Sequence, residues 1–118
     1  MPPLLIAAAQ STLIAGDLAG NIARHQRFMQ VAAGVLITEN GYSPDTALLK
    51  GYAQNHSMVV LMANHGGATG GWESAGRSAI WSENGSLIAA APGTGDLMVV
   101  ARRDTGGWSG QVVPVMEA

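Results

Sequence analysis

The chain has 118 residues and a mass of 12.1 kDa, which is the size of one domain. Apolar residues make up 47% and charged residues 12%, with six Lys and Arg against eight Asp and Glu, which excludes a disordered acidic tail and a basic nucleic-acid-binding surface. Cysteine is absent, which excludes disulfides, thiolate zinc sites and a cysteine nucleophile in this chain.

The first elements predicted along the chain are a strand and a helix. Residues 4–9 form a continuous apolar run, which indicates a strand covered on both faces. The run lacks the positive start of a signal peptide, and no stretch approaches the ~20 apolar residues of a membrane span. We therefore expect a cytoplasmic protein without a membrane partner. Asp17 is a suitable N-cap for a helix over residues 18–33, which Gly34 would end.

A second strand–helix–strand unit is predicted next. The apolar, β-branched residues 35–38 favour a strand, and residues 39–44 have the composition of a turn. A helix over residues 46–55, capped by Ser43 or Asp45, then leads to a third buried strand at residues 58–63. We expect residues 4–9 and 58–63 to share one sheet, with both helices on its same outer face.

The second half of the chain reads as antiparallel β structure. A Gly-rich loop at residues 64–71 precedes a hairpin of residues 74–81 and 86–91, whose turn contains Asn84 and Gly85. Residues 97–102 form a further strand, and the tail from residue 105 adds a short strand or a docking arm. The predicted fold class is therefore layered α/β, in the order β-α-β-α-β followed by antiparallel strands.

Few residues suggest chemistry by themselves. The three histidines lack metal-ligand spacing, and His25 and His56 fit surface positions, so we expect no metal. His65 follows a buried strand and opens the Gly-rich loop, a position where α/β proteins form pockets. The Gly-rich loop and residues 93–95 lack phosphate-binding and dinucleotide-binding patterns, so they are interpreted as turns and no cofactor is expected. No Gly-x-Ser-x-Gly sequence is present.

Two blocks of the sequence resemble the carbon–nitrogen hydrolase (nitrilase) superfamily. The first comprises residues 4–10 and 16–25: a strand ending in Ala-Gln, a short loop, and a helix that begins with Asn beside a small residue. The second covers residues 48–103 and contains Leu48-Leu49-Lys50-Gly51-Tyr52-Ala53, the run Val-Val-Leu-Met-Ala-Asn-His of residues 59–65, and Gly76-Arg77-Ser78-Ala79-Ile80-Trp81.

The resemblance implies an α-β-β-α sandwich that assembles into oligomers and hydrolyses non-peptide C–N bonds of amides or nitriles through Glu, Lys and Cys. This chain departs from that pattern. It has no Cys. Its single lysine, Lys50, corresponds to a different part of the family sequence from the catalytic Lys. Glu39 is too close to the first block in sequence to correspond to the family's catalytic Glu. We therefore interpret residues 1–118 as one truncated domain that lacks the central segment, with a junction near residues 30–36. No catalytic residue is assigned, and the chain is expected to be inactive alone.

The candidate substrate-binding residues lie at strand ends in the second block. We expect Asn64, His65, Gly76 and Ser78 to line the remaining pocket for a small amide or nitrile. The alternative is structural: Asn64 caps the loop, and Gly76 lets two backbones approach.

Two other functions stay open. One is a binding or assembly module that pairs with full-length family subunits. The other is an unrelated small α/β enzyme that uses His65 with Ser74 or Ser78. Because missing central strands would leave sheet edges uncovered, we expect homo-oligomers or association through those edges.

Overall fold

The computed structural model describes residues 4–10, 37–68 and 71–115. Within these ranges the chain is mixed α/β and contains one helix and six strands. In chain order the elements are β1 (Leu4–Gln10), α1 (Glu39–His56), β2 (Val60–Met62), β3 (Ala79–Trp81), β4 (Leu87–Ala90), β5 (Leu97–Asp104) and β6 (Gly107–Pro114). The predicted helix at residues 18–33 and the predicted junction near residues 30–36 lie outside the described residues.

The six strands form two three-stranded sheets. One has the order β1-β5-β6 and the other β2-β3-β4, and every pairing among the described strands is antiparallel. Among the described strands, β5 and β3 are central and the other four lie at the edges of their sheets. The predicted antiparallel second half is thus confirmed.

The β2-β3-β4 sheet has two apolar faces, because successive side chains of a strand point to opposite sides. Ile80 of β3 packs in one cluster with Ala8, Leu97 and Val99, which belong to the β1-β5-β6 sheet. Its neighbours Ala79 and Trp81 pack in a second cluster with Ile37, Ala53 and Met62. The helix therefore packs on one face of this sheet, and the second sheet packs on the other.

The expectation that residues 4–9 and 58–63 share one sheet is wrong. β1 pairs with β5 over seven residues, from Leu4 opposite Arg103 to Gln10 opposite Leu97, whereas β2 pairs with β3. Both runs are apolar because both sheets contribute to a common core, and apolar character does not specify which strand is the neighbour.

β1 is also less buried than predicted. Ala8 and Gln10 are buried, whereas the side chains of Leu4 and Leu5 are exposed, Leu5 with 66% of its surface accessible. The reason is that β1 is an edge strand with one face toward the other sheet, so its apolar run does not require two covered faces.

The helix begins seven residues earlier than predicted. The loop-like turn expected at residues 39–44 is wrong, because Glu39 to Pro44 belong to the beginning of α1. The strand expected at residues 35–38 is wrong for Ile37 and Thr38, which are not in a strand. Thr38 is the N-cap, with an extended backbone and no side-chain capping bond. Tertiary contacts outweigh the local turn composition here, because Tyr42 packs against the second core cluster and its hydroxyl donates to Arg77 O at 2.8 Å.

The predicted hairpin is confirmed with shorter strands. The turn between β3 and β4 contains Asn84 and Gly85, with Gly85 at φ +83° and its N–H donating to Ser82 O at 2.9 Å. The tail is a strand: β6 continues directly from β5 through a turn at Thr105 and Gly106 and pairs with it along its whole length.

Candidate functional site

Three of the four candidate residues lie together where β2 ends and β3 begins. Asn64 N donates to Ser78 Oγ at 2.9 Å, and Asn64 Nδ2 donates to the carbonyl of Gly76, also at 2.9 Å. His65 follows directly and donates its backbone N–H to Asn64 Oδ1 at 2.9 Å. These positions therefore lie next to one another, and their role in lining a pocket stays a prediction.

The Asn64 side chain joins three segments of the chain. Its Oδ1 accepts from the N–H groups of Ile37 and His65, and its Nδ2 donates to the carbonyls of Ile37 and Gly76, with all four distances at 2.9 Å. A side-chain amide has two donor hydrogens and two acceptor lone pairs. Because Asn64 is only 2% exposed and all four are occupied, this amide secures the entry to α1 beside the start of β3.

Gln10 completes the cluster from the other sheet. Its Oε1 accepts from Ser78 N at 2.9 Å and from Ser78 Oγ at 2.8 Å. Its Nε2 donates to the carbonyls of Gly93 at 2.9 Å and Gly95 at 3.3 Å. Gln10 is fully buried, and a buried amide is stable only when it is paired in this way. Sequence reasoning did not select it, although a Gln that ends an apolar run is a visible signal.

The hydroxyl groups of the cluster already have partners within the chain. Ser78 Oγ donates its proton to Gln10 and accepts from Asn64 N, and the residue has no accessible surface. Ser74 Oγ donates to His65 O at 2.6 Å and accepts from Gly76 N at 3.0 Å. Since a hydroxyl has a single proton, neither serine donates that proton to a catalytic base in this arrangement.

Gly76 lies where two backbone segments meet. Its φ is +63°, and a Cβ atom at this position would overlap the carbonyl of Gly93. The next residue, Arg77, donates its backbone N–H to the same carbonyl at 3.0 Å. This close approach of the two backbones at Gly76 and Gly93 agrees with the structural interpretation of Gly76.

A charged and aromatic group lies beside this cluster, and sequence reasoning missed it. Arg77 has a left-handed backbone at φ +49°, its guanidinium carbon lies 3.9 Å from the centre of the Tyr42 ring, and its NH2 group lies 2.5 Å from Glu39 Oε2. Burial raises the pKa of the Tyr42 phenol; the Arg77 charge lowers it and the Glu39 charge raises it. The protonated phenol donates to the Arg77 carbonyl, so the group connects the start of α1 with the segment before β3.

The cluster is therefore a buried hydrogen-bond network that joins β1, the start of α1, the end of β2, the segment before β3 and the turn between β4 and β5. Such a network rigidifies a fold when every member is paired. The assignment of Asn64, His65, Gly76 and Ser78 to substrate binding stays a prediction. The hydrogen bonds of Asn64 and of the Gly76 backbone match the structural alternative.

A comparison with protein-family models finds no match to this chain. Within residues 4–10, 37–68 and 71–115, no three His, Asp or Glu side chains come close enough to hold a metal ion. In the same ranges, no helix has both the length and the apolar character that a membrane crossing requires.

Proposed function

We propose that this chain is a non-catalytic member of the carbon–nitrogen hydrolase superfamily: a nitrilase-like domain that does not hydrolyse amides or nitriles by itself. The observation that carries the proposal is the enclosed hydroxyl of Ser78. It has no accessible surface, it donates its proton to Gln10 Oε1, and it accepts from Asn64 N.

The family part of the proposal rests on the sequence resemblance and draws support from the layering. The block of residues 59–65 contains β2, and the block of residues 76–81 contains β3. These strands belong to a sheet with a helix on one face and a second sheet on the other. A helix packed on one sheet, which in turn packs on a second sheet, is the order expected for three of the four layers of an α-β-β-α sandwich.

The non-catalytic part of the proposal rests on chemistry. Family members attack the carbon of an amide or nitrile with a thiolate, while a carboxylate accepts the thiol proton and an ammonium group neutralises the developing charge. This chain has no Cys, and removing one member of such a catalytic unit already removes most of the rate. The two serines of the cluster donate to Gln10 and to a backbone carbonyl, so neither replaces the thiolate.

The experiment is ammonia release by the purified chain from a panel of simple amides and nitriles, with a heat-denatured sample as the blank. We expect no release above the blank. His65→Ala is the comparison variant, because the competing small-enzyme hypothesis uses His65 with Ser74 or Ser78. Turnover above the blank that disappears in His65→Ala would replace the non-catalytic proposal with that hypothesis.

An association role is the second candidate function, and exposed apolar side chains favour it. Exposed large apolar residues occur on the helix, on the strands and in the connecting segments, and they include Leu48, Tyr52, Leu61, Trp72 and Leu87. Where such side chains gather on one surface, they mark a contact site for another protein. The possible partners are a second copy of the chain and a full-length family subunit. Light-scattering mass measurements on the chain alone and mixed with a full-length amidase separate the two.

A further inference from the structure

The outer edge of β6 is a long strand edge without a partner in the described part of the chain. β6 has eight residues and pairs with β5 in unbroken register from Gly107 opposite Asp104 to Pro114 opposite Leu97. On its other side, no described strand follows it in the sheet order. Such an edge presents unpaired backbone N–H and C=O groups.

The register shows which backbone groups point outward. The two-residue turn at Thr105 and Gly106 is closed by the pair Asp104–Gly107, and such closing pairs exchange both hydrogen bonds. Val115 N donates to Asp96 O at 3.2 Å in the same register, so the odd-numbered residues are bonded to β5. The N–H groups of the even-numbered residues Trp108, Gly110 and Val112 therefore point away from β5, as does position 114, where proline has no N–H to lose.

This edge lacks most of the features that prevent strands from pairing. Natural edges are protected by charged residues, prolines, bulges or short length. β6 has no charged residue, its only proline is its last residue, and its register with β5 has no bulge. By contrast, β4 has four residues and a register shift opposite Trp81, and β2 has three residues.

We propose that β6 pairs with β6 of a second copy of this chain, antiparallel and about a two-fold axis at Gly110. Gly110 then faces Gly110 of the second copy, and Trp108 faces Val112 of the second copy. The β1-β5-β6 sheets of the two copies then form one continuous six-stranded sheet. This inference deepens the association role proposed above and rests on it, and it is independent of whether the chain hydrolyses amides.

The composition of β6 supports a second copy as the occupant. A two-fold antiparallel pair centred on Gly110 brings each outward N–H group at positions 108, 110 and 112 opposite an outward C=O group of the second copy, so the strand is complementary to itself. No like charges meet, because β6 carries none. Trp108 and Val112 form an aromatic–β-branched cross-strand pair, which stabilises antiparallel sheets, and the partner's indole covers a valine that is 36% exposed.

The first test removes one outward N–H group. The mass of the wild-type chain in solution is measured by size-exclusion chromatography with light scattering, together with Val112→Pro and the matched control Val112→Thr, which keeps the N–H. We expect wild type and Val112→Thr at twice 12.1 kDa. Val112→Pro should dissociate with a constant raised about tenfold or more, because two-fold symmetry removes two hydrogen bonds at once. A monomeric wild type, or a folded Val112→Pro dimer as tight as wild type, would overturn the proposal.

The second test measures the register of the β6–β6 pair by disulfide cross-linking, and it tests the proposal even if Val112→Pro does not fold. Ser109 and Gln111 of the second copy form a non-hydrogen-bonded pair in the proposed arrangement, with Cα atoms about 4.5 Å apart, which a disulfide can bridge. Because the chain has no cysteine, Ser109→Cys and Gln111→Cys each carry one thiol. On oxidation of the mixture we expect the mixed disulfide to form in excess over either self-disulfide. Equal cross-linking of Ser109→Cys with Ser43→Cys, which is exposed on α1, would contradict the register.

Discussion

Gly76 illustrates how a single residue without a side chain permits the buried network to form. Its left-handed backbone at φ +63° and the carbonyl of Gly93 leave no room for a Cβ atom. We expect Gly76→Ala to lower the free energy of unfolding by at least about 2 kcal/mol, because backbone strain adds to the steric overlap. Urea denaturation of the wild type and the variant measures the change.

Gly93 provides the matched control for Gly76. It lies on the other side of the same contact, but nothing lies within 4 Å of a Cβ atom placed there and its backbone is not left-handed. Gly93→Ala should therefore change the free energy of unfolding by less than about 1 kcal/mol. If the two variants were equally stable, the close approach would not be the reason for glycine at position 76.

Single residues also mark where sequence reasoning reached its limit at the site. Asn64, Gly76 and Ser78 were selected because they end or begin strands in the block that resembles the nitrilase superfamily. Gln10 was missed because its partners Ser78 and Gly93 lie 68 and 83 residues away along the chain. No local pattern encodes such a contact, and the stacking of Arg77 on Tyr42 depends in the same way on two elements meeting.

At the level of elements, α1 contains a proline in its interior. Pro44 follows the first turn, and proline removes a backbone donor and disfavours helical geometry in the residue before it. The Thr46 hydroxyl donates to the carbonyl of Tyr42 at 2.7 Å, which satisfies one nearby acceptor. Contacts of Tyr42 with the second core cluster and with the Arg77 carbonyl fasten this first part of the helix to other elements.

Pro44→Ala should therefore stabilise the protein. We expect the free energy of unfolding to rise by about 1 kcal/mol or more, because alanine restores the N–H and favours the helix. Urea denaturation gives the value, and the exposed neighbour Ser43→Ala serves as the control for a simple gain in helix propensity. A loss of stability in Pro44→Ala would indicate that the proline ring packs favourably in a way that outweighs its effect on the backbone.

The elements differ in how well sequence reasoning predicts them. The hairpin around Asn84 and Gly85 and the strand beginning at Leu97 were predictable because turn chemistry and β-branched runs are local signals. The start of α1 was not predictable, because Gly41 and Pro44 locally favour a turn. The packing of Tyr42 against the core outweighs this local preference. The sheet to which β1 belongs was not predictable from apolar character, since both sheets face the same core.

At the level of the whole molecule, Glu83 connects the two sheets through a side chain. It lies in the turn between β3 and β4; its Oε1 accepts from Trp108 Nε1 at 2.8 Å, and its Oε2 lies 3.0 Å from Arg103 NH1. A hydrogen bond with its own backbone, the bond from Trp108 and the Arg103 charge lower the pKa of Glu83, and partial desolvation opposes them.

The direction of this shift sets a pH dependence. Because the folded state lowers the pKa of Glu83 below its usual 4.5, the carboxylate stabilises the protein above that pH and the contribution is lost as the pH falls through the folded value. We expect wild type to exceed Glu83→Gln in unfolding free energy at pH 6.5, with the difference shrinking at pH 3. Glu73→Gln is the control at an exposed position. A difference that is the same at both pH values would show that the charge of Glu83 does not connect the sheets.

The pairing of β1 with β5 also has a consequence for how the chain reaches its folded state. β5 and β6 are joined by a two-residue turn and β3 and β4 by a short one, so these hairpins close small loops, whereas β1 must find β5 across more than eighty residues. Closing a long loop costs more conformational entropy than closing a short one, and contacts distant in sequence slow folding. We therefore expect the two hairpins to gain protection from hydrogen exchange early in refolding. We expect β1 to dock last, so that Gln10 completes the polar network around Ser78 at the end of folding.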